Sequence, residues 1–259
     1  MPAVTTRQRL WRMSHIVMWM FAGVGISLQQ RLLHGKDWHS KPVGHKKIQA
    51  WLQELAKRIR LEINVMGEPL AHPHVQVANH ISWLDVVALG ANHPVNFVAK
   101  SEIASWPLVG LLARFRGTCF IKRGSVSSLR AILPHFQQHY EMGNNMVLFP
   151  EATTSLGDDV RPFHAALFQI MIDLEMPVQP VALRYNGDLE QRRTAAYIED
   201  DKFITHLWSL CGCESISVDL HYLEGRESRE KQRRLLANTC RNVVAERLFP
   251  EKNTFTQAA

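Results

Sequence analysis

The stretch Val75-Gln76-Val77-Ala78-Asn79-His80-Ile81-Ser82-Trp83-Leu84-Asp85 decides the expected fold of this chain. Residues 75–78 form a short β-rich run, which predicts a strand. Ser82 precedes a run with helical character, and we predict that it caps a helix beginning at Trp83. A strand that passes through a short loop into a helix is the building unit of α/β proteins.

His80 and Asp85 carry the chemistry that this stretch predicts. Five residues on a straight helix correspond to about 500°, so the two side chains meet only if the chain turns between them. A neutral imidazole can take a proton from an alcohol, and a carboxylate on its other nitrogen fixes the tautomer. Backbone amides at the helix start are candidates for stabilising an oxyanion. The simpler alternative is that Asp85 only binds backbone amides, because Ser82-x-x-Asp85 is close to a capping box.

Short β-rich runs alternate with helical stretches beyond residue 61, which is typical of an α/β fold. We expect one α/β domain over residues 61–249 and a disordered tail over residues 250–259. The predicted strands are Val75–Ala78, Asn96–Ala99, Cys119–Ile121, Met146–Phe149, Val178–Leu183 and Ser215–Leu223. The predicted helices are Trp83–Gly90, Leu108–Phe115, Ser127–Tyr140, Phe163–Leu174, Phe203–Leu210 and Ser228–Leu248.

Residues 1–60 are expected to form a membrane-associating helical pair. Ile16–Leu28 is an apolar run in which Ser27 is the only polar residue, and it follows several arginines. A bilayer span needs about 20 apolar residues, so we predict a retained embedded or interfacial anchor. Over Lys46–Arg60, apolar residues recur at three- and four-residue steps, which indicates an amphipathic helix. Its stripe either packs on the core or lies with its basic neighbours against anionic headgroups, and the preceding anchor favours the second.

The composition restricts the partners. Thirty Lys and Arg against 24 Asp and Glu give a net charge of +6, which favours nucleic acid, phosphorylated cofactors or an anionic membrane surface. The four cysteines match neither a zinc site nor a small disulfide scaffold, so we expect reduced thiols in a cytosolic compartment. His72-Pro73-His74 can bind a metal, but no further ligand set follows it, and the Gly-x-Ser-x-Gly motif of serine hydrolases is absent.

Three further motifs follow His80 and Asp85 in fixed order. They are Gly117-Thr118-Cys119-Phe120-Ile121-Lys122-Arg123, Phe149-Pro150-Glu151-Ala152-Thr153-Thr154-Ser155 and Val178-Gln179-Pro180-Val181. Together the four motifs resemble those of the glycerophospholipid acyltransferase family, whose best-known members are the lysophosphatidic acid acyltransferases. The resemblance covers roughly residues 61–223 and implies a mixed central sheet flanked by helices.

The resemblance also implies roles for single residues. His80 is the general base and Asp85 orients it. An arginine can grip a phosphate with two parallel donors, and Pro150 turns the chain out of the sheet, where α/β sites gather. The fourth motif has no ionisable group and forms a wall. The residues assigned to substrate binding are Arg123, Glu151, Thr153, Gly117 and Lys100, of which Arg123 and Glu151 contact the acceptor, Gly117 shapes the backbone and Lys100 meets phosphates of the acyl carrier.

The activity that the resemblance implies is direct transfer of an acyl group from acyl-CoA or acyl carrier protein to the sn-2 hydroxyl of lysophosphatidic acid. It requires no metal, bound cofactor or nucleic acid, and takes place at the cytoplasmic face of the inner membrane. Ala152 stands where the family generally has Gly, and Thr154 where many members have Arg. These changes keep open another lysolipid acceptor, such as lyso-ornithine lipid. A non-catalytic peripheral lipid-binding protein is the alternative from a different class.

Overall fold

The computed structural model describes residues 4–122, 126–198 and 200–251. Arg123 and residues 252–259 of the expected tail therefore lie outside the described residues. The elements in chain order are α1 (Thr6–His34), α2 (Pro42–Ile59), β1 (Leu61–Met66), β2 (Val75–Ala78), α3 (Leu84–Asn92), β3 (Val95–Lys100), α4 (Val109–Phe115), β4 (Cys119–Ile121), α5 (Val126–Glu141), β5 (Asn145–Leu148), α6 (Ala165–Asp173), β6 (Val178–Tyr185), α7 (Leu189–Ala195), α8 (Phe203–Leu210), β7 (Ile216–Tyr222) and α9 (Arg233–Leu248).

The strands form one mixed sheet in the order β1-β7-β6-β2-β5-β3-β4. β7 runs antiparallel to β6, and the other neighbouring pairs in the described residues are parallel. The α/β fold with a mixed central sheet is therefore confirmed. Because β2 to β6 all run in the same direction, the loops that follow these strands open at one edge of the sheet, which is where α/β proteins place their sites.

The two faces of the sheet are covered by different helices. Alternate residues of a strand point to opposite faces, and in β6 Val181 and Leu183 pack into one cluster while Val178 and Ala182 pack into the other. The first cluster contains buried residues of α1, α2, α3 and α8. The second contains buried residues of α6 and α9, together with Phe136 of α5.

α1 is longer than the apolar run from which it was predicted. It spans 29 residues and begins with a capping box between Thr5 and Gln8. Within the described part of the chain, one helix, α1, is long and apolar enough to cross a membrane by length and composition. Ile16 and Met20 are buried against the protein. The large apolar side chains of α1 that remain exposed are Leu10, Trp11, Met18, Phe21, Leu28, Leu32 and Leu33.

Two tryptophans join α1 to α2. Trp19 Nε1 donates to the carbonyl of Trp51, and Trp51 Nε1 donates to the carbonyl of Trp19, both at 3.2 Å. The rings lie 6.4 Å apart and nearly parallel. Arg58 lies 4.6 Å from the centre of the Trp19 ring, and Arg116, just after α4, lies 3.9 Å from that of Trp51. This cation–aromatic stack attaches the N-terminal helices to the rest of the fold.

The sequence missed one strand and one α-helix and misplaced the starts of two helices, of which α2 begins at Pro42 and not at Lys46. β1 and α7 were not predicted, although Leu61, Ile63 and Val65 alternate with polar residues in β1. The last helix begins at Arg233 and not at Ser228. Glu230 adopts a φ of 55°, which a right-handed helix cannot contain, so the residues before α9 form a turn instead.

Candidate active site

His80 lies in the loop that leaves the carboxyl end of β2. The residue before it, Asn79, is buried and extends the pairing of β2 with β6, because its side-chain amide exchanges two hydrogen bonds with the backbone of Leu183. Asn79 Nδ2 donates to the carbonyl at 2.9 Å, and the N–H of Leu183 donates to Asn79 Oδ1 at 2.8 Å. The start of the His80 loop is thus tied to the sheet.

Asp85 meets His80 as the sequence predicted. Nδ1 of His80 lies 2.8 Å from Oδ2 of Asp85. An ionised carboxylate only accepts hydrogen bonds, so Nδ1 carries the proton and Nε2 keeps its lone pair. The His80 side chain is 15% exposed while that of Asp85 is fully buried. A basic nitrogen at the surface of the site and a buried carboxylate behind it form an arrangement suited to general base catalysis.

The turn between the two residues is built by Asp85 itself. α3 begins at Leu84 with Trp83 as its N-cap, and no side chain caps it, so the predicted role of Ser82 is wrong. Oδ2 of Asp85 accepts the backbone N–H groups of Ile81 at 2.8 Å and Ser82 at 3.0 Å. Asp85 therefore orients His80 and binds backbone amides at once. These two amides are occupied and are not available to stabilise an oxyanion, while that role for the amides at the helix start itself stays a prediction.

Tyr185, the last residue of β6, contacts the other oxygen of Asp85. Its hydroxyl donates to Oδ1 at 2.7 Å. Burial, followed by the charge of Asp85, raises the pKa of Tyr185 well above its ordinary value. Sequence reasoning missed this residue because it stands 100 positions from Asp85 and only the pairing of β2 with β6 brings it close.

Glu151 holds the backbone of the His80 loop. It is 3% exposed, and its Oε1 accepts the N–H of His80 at 2.9 Å while its Oε2 accepts that of Arg161 at 3.2 Å. Ser155 N–H in turn donates to the carbonyl of His80 at 3.0 Å. Burial raises the pKa of Glu151 to about 7, against the two N–H donors, which favour the ionised form.

The residues on either side of Glu151 complete this loop. The ring of Phe149 stacks on the imidazole of His80, with centroids 4.0 Å apart and planes inclined by 16°. Ala152 adopts a φ of 59°, in the left-handed region that costs a residue with a Cβ atom. The family's usual glycine would adopt this conformation freely. Ala152 therefore stands at a position whose backbone conformation favours glycine.

Two other predicted substrate-binding residues, Lys100 and Thr153, lie at the same edge of the sheet but apart from this cluster, whereas Gly117 precedes β4 and lies at the opposite edge. Lys100 ends β3 and pairs with Glu102 at 3.0 Å. Thr153 is exposed. Gly117 has a φ of 74°, and a Cβ atom there would collide with the imidazole of His39. Among the described residues, neither Lys100 nor Thr153 has a hydrogen bond to His80, Asp85 or Glu151.

His74 lies at the other end of β2. Its ring is buried, and Nδ1 is 2.8 Å from the carbonyl oxygen of His72. No group of three or more His, Cys, Asp or Glu side chains with metal-binding geometry occurs in residues 4–122, 126–198 and 200–251. All four cysteines, Cys119, Cys211, Cys213 and Cys240, are free.

The comparisons with known proteins agree with the fold. The acyltransferase family profile matches residues 58–184, which contain all four motifs. The chain belongs to this family of acyltransferases and is an enzyme of lipid biosynthesis.

Individual relatives act on two different lysolipid acceptors. Lyso-ornithine lipid O-acyltransferase of Pseudomonas aeruginosa is 37% identical over 224 residues, covering 86% of this chain and 85% of the relative. The 1-acyl-sn-glycerol-3-phosphate acyltransferase of Neisseria gonorrhoeae is 30% identical over 245 residues, covering 92% and 94%. The crystal structure of the 1-acyl-sn-glycerophosphate acyltransferase PlsC of Thermotoga maritima matches with a TM-score of 0.65 at 20% identity, over 94% of this chain and 98% of that one, and shows the same fold.

Proposed function

We propose that the enzyme transfers a fatty acyl group from acyl-CoA or acyl carrier protein to the sn-2 hydroxyl of lysophosphatidic acid, giving phosphatidic acid. The observation that carries the proposal is the contact of 2.8 Å between His80 Nδ1 and Asp85 Oδ2, which leaves Nε2 as a base at the sheet edge. A binding protein has no need of a buried carboxylate that fixes a tautomer.

In the proposed reaction, the acceptor hydroxyl donates its proton to Nε2 of His80 as its oxygen attacks the thioester carbonyl. Asp85 stabilises the imidazolium that forms. The tetrahedral intermediate then collapses, the carbon–sulfur bond breaks, and the imidazolium returns the proton to the departing thiolate. The products are an ester and a free thiol. Phe149 keeps the imidazole plane in place and covers one of its faces.

The acceptor phosphate is assigned to the cationic edge that follows β4, and the phosphates of the acyl carrier are assigned to Lys100 at the end of β3. Lys100 ends β3, and Lys122 follows β4 directly and is exposed. Both strands run in the same direction as β2, so these side chains lie on the His80 side of the sheet. We assign Arg123 and Thr153 to the acceptor subsite, as the sequence predicted, whereas Gly117 lies at the other end of β4 and is left out of it. Glu151 contributes to the site indirectly, because its Oε1 fixes the backbone of His80.

Lyso-ornithine lipid is a second candidate acceptor, and two observations favour it. The relative from Pseudomonas aeruginosa that acts on this lipid is 37% identical, compared with 30% for the phosphate-acceptor enzyme of Neisseria gonorrhoeae. In addition, Thr154 replaces an arginine that would supply a phosphate ligand. An acceptor without a phosphate group would have no need of that arginine.

We place the enzyme at the cytoplasmic face of the inner membrane, with α1 as the part of residues 1–60 that contacts the bilayer. The apolar stripe of α2, which was expected to lie against headgroups, is buried in the core instead. Leu10, Trp11, Met18 and Phe21 of α1 are each more than half exposed to solvent. Apolar side chains of this size on one helix favour contact with the acyl-chain region, where a lysolipid acceptor resides.

The test measures release of free thiol from palmitoyl-CoA by the purified full-length protein, with lysophosphatidic acid, with lyso-ornithine lipid and without acceptor. The His80→Ala variant is compared with His72→Ala, which removes an exposed imidazole near the other end of β2. We expect acceptor-dependent release that is lost in His80→Ala and kept in His72→Ala. Equal activity of His80→Ala and wild type would refute the mechanism. If kcat/KM is higher with lyso-ornithine lipid than with lysophosphatidic acid, lyso-ornithine lipid is the preferred acceptor.

A further inference from the structure

We propose that Tyr185 is a positioning residue of the reaction, whose hydroxyl group holds Asp85 in place and thereby sets the basicity of His80. The inference rests on the proposed roles of His80 and Asp85. It adds a third member, at the end of β6, to a pair that lies in the loop after β2 and in α3. Tyr185 belongs to none of the four motifs.

The hydrogen bonds of Asp85 show why the third member is needed. Oδ2 is shared by the His80 imidazole and the N–H groups of Ile81 and Ser82. Among the described residues, Oδ1 has a single hydrogen-bond donor, the hydroxyl of Tyr185 at 2.7 Å. Asp85 is fully buried, so no water replaces a lost donor at its surface. Removing the hydroxyl therefore leaves one carboxylate oxygen buried and unpaired.

The sheet fixes Tyr185 in this position. Tyr185 is the last residue of β6 and pairs with Val218 of the antiparallel strand β7. Its ring is buried in the same cluster as Leu84 of α3. Burial and the neighbouring carboxylate raise its pKa, so the hydroxyl keeps its proton over the working pH range. Tyr185 therefore donates to Asp85 at every pH of the assay, and only the protonation of its neighbours changes with pH.

The direction of the effect follows from the charges around Asp85. The titratable groups that face it are His80 in the loop after β2, Tyr185 on β6 and Glu151 in the loop after β5. A donor to a carboxylate stabilises its charged form. Without the hydroxyl, the carboxylate holds a proton, or an imidazolium, more strongly. His80 donates to the same carboxylate, so an imidazolium there is stabilised, and the pH at which the base becomes protonated should rise in the variant.

The experiment is the pH dependence of kcat/KM for wild type, Tyr185→Phe and Tyr222→Phe. In Tyr185→Phe we expect the acid limb to move up by about half to one pH unit, and the rate at the optimum to fall about tenfold. Tyr222→Phe is a matched control, because Tyr222 is a buried tyrosine on the adjacent strand β7 whose hydroxyl accepts from Asn92 Nδ2 at 2.9 Å. We expect its acid limb to match that of wild type.

A second readout separates this inference from the proposed function. Titration of the His80 imidazole by NMR, assigned with the His80→Ala variant, needs no substrate, so it remains valid if no acceptor is turned over. The inference predicts a higher pKa for His80 in Tyr185→Phe than in wild type. Identical His80 titrations, or identical acid limbs, in the two proteins would overturn it.

A third measurement applies if Tyr185→Phe does not fold. Biosynthetic replacement of the four tyrosines by 3-fluorotyrosine makes each phenol more acidic and a stronger donor, which should shift the His80 titration to lower pH. No shift, or a shift to higher pH, contradicts the proposal.

Discussion

Replacing Ala152 by Gly should stabilise this enzyme, although glycine normally destabilises a folded protein. Ala152 has a φ of 59°. The left-handed conformation costs a residue with a Cβ atom about 1–2 kcal/mol, while the extra freedom of glycine in the unfolded chain costs about 0.5–1 kcal/mol. The first term is larger, so the free energy of unfolding should rise by about 0.5–1 kcal/mol. For a chain of 259 residues, this corresponds to an increase in Tm of about 1–2 °C.

The measurement is chemical denaturation of the detergent-solubilised protein, supported by Tm. The matched control is Ala104→Gly, because Ala104 is half-buried like Ala152 but its φ is negative. The control should lose about 0.5–1 kcal/mol. The two substitutions therefore differ in sign. If Ala152→Gly destabilises the protein as much as Ala104→Gly does, the backbone strain inferred for Ala152 is wrong.

Three further predictions concern single residues of the four motifs. Asp85→Asn should lower kcat by about 10³-fold or more, because an amide favours the wrong imidazole tautomer; steady-state kinetics checks this, and a loss below tenfold would contradict it. Gly117→Ala should destabilise the fold by about 2–3 kcal/mol, from its φ of 74° and the collision with His39; in urea denaturation, adding His39→Ala should recover only the part due to the collision. For Glu151, burial raises the folded-state pKa from 4.5 to about 7, so the stability associated with its proton is present below pH 4.5 and lost as pH rises through 7. Relative to Glu151→Gln, wild type should therefore lose about 3 kcal/mol of unfolding free energy between pH 4.5 and 7.5, and parallel pH profiles of the two proteins would refute this.

The elements that the sequence predicted well are those with a strong local signal. β2, β4 and α8 have the predicted bounds. All four residues of β2 are buried between the two faces of the sheet, which is why the sequence shows a short β-rich run there. The contact of His80 with Asp85 was also predictable, because the turn that joins them lies within seven residues of sequence.

The elements that the sequence missed have weak or distributed signals. β1 is an edge strand in which only one of six residues is buried, so its pattern of apolar residues gives a weak signal. α7 has no apolar stripe and depends on the capping box between Asp188 and Gln191. Tyr185 could not be found from spacing at all, because its distance from Asp85 depends on which strands are neighbours in the sheet. The hydrogen bonds from the Ile81 and Ser82 amides to Asp85 could not be predicted from the sequence either.

The two hydrogen bonds between the loop after β5 and the backbone of His80 have a consequence for engineering. Glu151 accepts from the N–H of His80 and Ser155 donates to its carbonyl, so both peptide groups of the base are held by the other loop. If residues 150–157 are replaced by those of a relative with another acceptor preference, the position of His80 should therefore change as well. Such a graft should retain turnover only when residues 79–82 come from the same relative, because the two loops are fitted to each other.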